Sequence, residues 1–197
     1  MVASGIASAD ILRVTATGVI ANDRPELDGT PYDNTNSVSL TFDYRLDGGE
    51  FVSINSNRAR YDNMAVGTIV VNNTETLFIN ESVVTLSTGP ARDAVQTAFL
   101  ANAVAGFTTM PGIDRIQPDA IFTVPTNALG DLSPENVVAL DQITFGELLF
   151  NFPGSTLVPV LVQLDLGSFE TKIIPEPSTL AVLLISMAVI HRRKWHR

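Results

Sequence analysis

Apolar and polar residues alternate over nine positions in Val38-Ser39-Leu40-Thr41-Phe42-Asp43-Tyr44-Arg45-Leu46. A period of two sends one set of side chains to a buried face and the other to water, so this stretch predicts a half-buried β-strand. Asp47-Gly48-Gly49 then offers residues that accept positive φ, and Phe51-Val52-Ser53-Ile54 resumes the apolar pattern. Together they predict a β-hairpin. Residues 12–20 repeat the alternation, with Leu12, Val14, Ala16 and Ile20 on one face. Residues 68–72, 76–80, 83–87, 143–152 and 160–166 are further strand candidates. In the last of these, Val160, Val162, Leu164 and Leu166 share a face opposite Gln163 and Asp165.

Helical spacing stands out in one place. Ala91, Ala94, Val95 and Ala98 recur at intervals of three and four within residues 90–105, behind a proline suited to a first helical turn. This predicts one α-helix packed across a sheet. Residues 131–140 are a candidate for a second short helical turn. The resulting expectation is a mainly β chain: an antiparallel β-sandwich, jelly-roll-like, over residues 10–167 with one packed α-helix. Residues 168–174 read as a linker, and a separate C-terminal transmembrane helix follows.

Composition fits this picture and excludes several chemistries. Thirteen glycines and eleven prolines supply turns, and 45% apolar residues supply a core. There is no cysteine, so disulfides, thiol catalysis and cysteine-bound zinc are excluded within the chain. The two histidines, His191 and His196, both lie near the C-terminus, which leaves residues 1–190 without a histidine base or ligand. Four of the twelve Lys and Arg residues fall in the last seven positions, so eight basic residues face twenty-one acidic ones elsewhere. An acidic body of this kind repels phosphate backbones, and no nucleic-acid partner is expected.

The C-terminus has three parts in order. Pro175-Glu176-Pro177-Ser178-Thr179 comes first, and its prolines keep the chain extended. An apolar run follows at 180–190, carrying Leu180, Val182, Leu183, Leu184, Ile185, Val189 and Ile190. A basic stop closes the chain with Arg192, Arg193, Lys194 and Arg197, beside the interfacial Trp195. By the positive-inside rule the cations stay cytoplasmic and the body lies across the membrane. Eleven residues as a helix reach about 16 Å against a hydrocarbon core of about 30 Å. That length suits a transient span better than a permanent anchor.

This order of motif, apolar span and basic end resembles the PEP-CTERM sorting signal, over about residues 173–197. The matching motif residues are Pro175, Glu176 and Pro177. The resemblance implies an exported protein of a Gram-negative-type bacterium. Its partner would be an exosortase, a membrane-embedded enzyme, and it would be held transiently in the inner membrane. It would then pass to the cell surface or extracellular matrix, with a structural or adhesive role linked to exopolysaccharide or biofilm. No enzymatic activity is expected. The alternatives are a polysaccharide-active hydrolase using a carboxylate pair and a permanently membrane-anchored surface protein.

At the other end, Ala7-Ser8-Ala9 before Asp10 looks like a small-residue cleavage site. Six residues precede it, without a basic or long apolar region, so residues 1–9 are expected to be the remnant of a signal peptide that starts upstream of Met1.

Candidate chemistry in the body is sparse. There is no phosphate loop, GxSxG, HExxH or EF-hand loop. Asp43 and Glu50 flank the expected hairpin as solvating carboxylates, and no other acidic pair is singled out. No cofactor is expected, with calcium as a secondary candidate. Asp23, Glu26, Asp28, Asp33, Asn34 and Asn36 crowd residues 22–36 with oxygen donors, although Asp and Asn in such loops commonly bond their own backbone. Tyr32 and Tyr61 lie among polar residues as candidate sugar-stacking rings, whereas Tyr44, in phase with Phe42, is expected in the core.

Overall fold

The computed structural model describes residues 10–22, 24–100, 104–106 and 113–175. The chain is mainly β and antiparallel. Among the described residues twelve strands form one sheet: β1 (Ile11–Ile20), β2 (Ser37–Arg45), β3 (Glu50–Asn55), β4 (Arg58–Asp62), β5 (Ala65–Val71) and β6 (Glu75–Ile79). They are followed by β7 (Ser82–Ser87), β8 (Asp93–Phe99), β9 (Val104–Ala105), β10 (Gln117–Val124), β11 (Phe145–Asn151) and β12 (Val160–Ile174). The spatial order is β3-β4-β7-β8-β10-β11-β12-β1-β2-β5-β6-β9. Short 3₁₀ segments occur at Pro25–Leu27 and Pro134–Gln142.

The sheet folds over on itself. Strands from its two halves meet across the core, where the Phe42 ring of β2 lies 4.9 Å from Phe99 of β8 and 6.4 Å from Phe122 of β10. Tyr44 of β2 shares a 2.8 Å hydrogen bond with Thr97 of β8. Strands β1, β2, β7 and β8 alternate strictly between buried and less buried positions. In β2, Val38, Leu40, Phe42 and Tyr44 are buried, and in β7 Val84 and Leu86 are. The sandwich was expected as two sheets; here β11 and β12 hydrogen-bond over Glu147–Gln163 to Phe150–Val160, joining the halves into one.

Three expectations are corrected. The hairpin of residues 38–54 does not form: β2 pairs with β1 and β5, whereas β3 pairs with β4 at the far end of the sheet. Asp47-Gly48-Gly49 is a crossover between the halves, not a hairpin turn. Gly48 has φ +81°, and a side chain on Gly49 would strike the backbone of Asp62, Asn63 and Met64. The α-helix of residues 90–105 is replaced by β8, with β9 beyond it. Asp93, Val95, Thr97 and Phe99 point inward, so the inner face carries two polar residues, and Ala94 and Ala98 fall together on the outer face. The linker of residues 168–174 is instead the end of β12, paired with β1 from Glu170 to Ile174. The signal-peptide remnant at 1–9 lies outside the described residues.

Candidate functional site

β1 and β12 run antiparallel, with Ile11 opposite Ile174. Asp10 and Pro175, the first residue after the expected cleavage site and the first of the expected sorting motif, therefore emerge side by side at one pole of the domain. Pro175 is exposed and follows the last ladder residue directly. Glu176, Pro177, the apolar run from Leu180 to Ile190 and the basic residues Arg192, Arg193, Lys194 and Arg197 lie outside the described residues. Among the described residues no helix is long and apolar enough to cross a membrane, which leaves the 180–190 span unaddressed.

β12 is interrupted on its way to that pole. Thr15 pairs with Glu170 and Thr17 with Asp165, so two steps along β1 match five along β12. The extra residues form a bulge held by Asp165, whose Oδ1 accepts from the Gly167 amide at 2.9 Å, and by Ser168, whose Oγ accepts from the Thr17 amide at 2.9 Å. Leu166 consequently leaves the apolar face predicted for it and is 43% exposed. Beside the bulge a shallow groove of 410 Å³ runs over the outer face, lined by Thr17, Val19, Gln163, Asp165 and Leu166. It mixes two exposed aliphatic side chains with hydroxyl, amide and carboxylate groups.

The outer face holds one further polar group that sequence reasoning missed. Gln96 Nε2 donates to both carboxylate oxygens of Asp119, at 3.0 and 3.3 Å. Partial burial holds the Asp119 carboxyl above its ordinary range, against the pull of Gln96 and with help from the nearby Glu147 charge. The signal for it was within reach: Asp119 alternates with buried Pro118 and Ala120 in β10. Asp43, by contrast, is engaged by Arg13 Nε and Nη2 at 2.8 and 2.7 Å, and Glu50 opens β3 in the other half. These two carboxylates are not brought together as a pair.

The tyrosines are all buried, which corrects the two expected on the surface. Tyr32 is fully buried and donates to Glu75 Oε1 at 3.0 Å; burial first, then the Glu75 carboxylate, pushes its phenol far above the ordinary range. Tyr61 reaches the Leu132 carbonyl at 2.9 Å across the core edge. Both rings had polar sequence neighbours because the strand and loop around them are polar, not because they face water. Tyr44 is in the core, as its phase with Phe42 requires.

The 22–36 loop is stitched to itself. Asp33 Oδ2 accepts from the Gly29 amide at 3.1 Å, and Asn36 Nδ2 donates to the carbonyls of Thr30 and Pro31. Glu26 and Asp28 are exposed, Asn34 is partly buried, and Asp23 lies outside the described residues. Among the described residues no three acidic side chains converge as a metal site would require. No protein family, curated protein or solved structure matches the chain.

Proposed function

We propose that this chain is an exported surface or matrix protein, delivered through its C-terminal tail and processed there by an exosortase. The observation that carries the reading is the sequence order of Pro175-Glu176-Pro177, the apolar run of 180–190 and the closing cations. The geometry of the pole supports it. Both segments assigned to export attach at the neighbouring ends of β1 and β12, so one pole of the domain meets the membrane during both steps. The rest of the folded sheet then faces outward.

In this reading the folded sheet acts by adhesion or as a structural element among extracellular polysaccharide. With its tyrosines buried, ring stacking on a polymer falls to the exposed Phe51, Phe78 and Phe145, and polar contact to hydroxyl and amide groups. Thr15, Thr41 and Thr68 form a row of direct cross-strand neighbours over β1, β2 and β5. Such a row presents hydroxyls about 5 Å apart. The test is fractionation of the native host carrying either the natural chain or a variant with Pro175→Ala, Glu176→Ala and Pro177→Ala. The natural chain should leave the membrane fraction for the cell surface, and the variant should accumulate in the membrane. Equal distribution of the two would refute the reading.

A further inference from the structure

β12 is two strands in one. Its first half pairs with β11 on one side and β1 on the other, and places Val160, Val162 and Leu164 in the core. Beyond the bulge, residues 170–174 pair with β1 alone, and among the described residues no strand lies on their other edge. None of these five residues is buried. Lys172 stands opposite Arg13, so like charges face each other across the ladder, and Arg13 turns to Asp43 instead. The bulge is firmer: Ser168 is tied to Thr17, and the Phe169 ring packs 5.6 Å from Phe122 in the core.

From this contrast we infer that residues 170–174 are a detachable arm, hinged at the bulge, whose peeling from β1 frees the chain upstream of Pro175. The inference rests on the processing reading above and adds its control. With the arm docked, the motif begins one residue after a hydrogen-bonded rung, leaving no open chain on that side for an enzyme to grip. With the arm peeled, five residues give a leash of about 17 Å while Phe169 keeps the domain closed. A one-sided rung without buried side chains opens at far lower cost than a core strand.

The test staples the arm. The chain contains no cysteine, so Arg13→Cys with Lys172→Cys creates a single cross-strand disulfide at an exposed pair, in the oxidising space outside the cytoplasm. The matched control carries Arg13→Ser and Lys172→Ser. In hydrogen exchange on the full chain in detergent micelles, amides of 170–174 should exchange at least ~100-fold faster than those of 160–164, and the staple should slow them. In the native host the serine control should be processed at the natural rate and the stapled chain should keep its tail. Equal exchange in the two halves of β12, normal processing of the stapled chain, or failure of the serine control would overturn the arm. If the natural chain itself keeps its tail, the sorting reading fails, and the exchange comparison still decides whether the arm opens.

Discussion

Replacing Thr97 by valine keeps the shape and strand propensity of the side chain but removes its hydroxyl. Thr97 and Tyr44 are fully buried, come from opposite halves of the folded sheet, and share one hydrogen bond of 2.8 Å. Thr97→Val therefore strands the Tyr44 hydroxyl in an apolar interior, at a cost of about 1–3 kcal/mol. Tyr44→Phe strands the Thr97 hydroxyl at a similar cost. The double variant leaves neither group unpaired and should lie near the natural protein. The coupling, the double-variant cost less the two single costs, should thus be about 2–6 kcal/mol in favour of the double variant. At roughly 2–4 °C per kcal/mol for a domain of this size, each single variant should melt about 2–12 °C lower. Thermal melts of the four proteins, with urea unfolding for the free energies, complete the cycle. Strict additivity, or single variants that cost nothing, would refute the facing of β2 and β8 across the core.

Two other substitutions probe separate features. Gly49→Ala should destabilise by at least ~2 kcal/mol, read by urea unfolding, because the added Cβ meets rigid backbone at Asp62, Asn63 and Met64. Asp119→Asn should match or exceed natural stability at neutral pH. The folded carboxyl titrates above its unfolded value, so the natural protein gains stability as pH falls through that folded value, and the difference between the two should shrink toward acid. A gap that widens on acidification in melts from pH 7 to pH 3 would contradict the burial of Asp119.

Strict alternation made β1 and β2 legible, because their inner residues are all apolar and their outer ones mostly polar. β8 was hidden by chemistry. Its inner face includes Asp93, whose carboxylate accepts from the Gly89 and Leu129 amides, and Thr97, bonded to Tyr44; neither reads as core without its distant partner. The spacing of Ala91, Ala94, Val95 and Ala98 then mimics a helix. β4 and β10 also escaped notice. The first is short and charged on its outer face, and the second contains Pro118 near its start. Pairing was less legible than strand position. Local sequence favoured a β2–β3 hairpin, but Gly49 allows the chain to cross to the other half against the β4–β5 turn. Ser168 falls in the expected linker and Gly167 at the expected end of the domain, yet the two make a bulge, because Asp165 and Thr17 supply the hydrogen bonds that hold it. The proposed sorting motif is legible in residue order alone, while the place of its first residue, Pro175, beside the start of β1 requires the register of β12.

The central claim is that the tail is a removable delivery device on a folded domain. Intact-mass analysis of the mature protein recovered from the surface of its native host tests this most directly. The account predicts a chain ending within or beside Pro175-Glu176-Pro177, without the apolar run and the cations. A surface form that still carries Leu180 through Arg197, or a tail-bearing form confined to the cytosol, would contradict it.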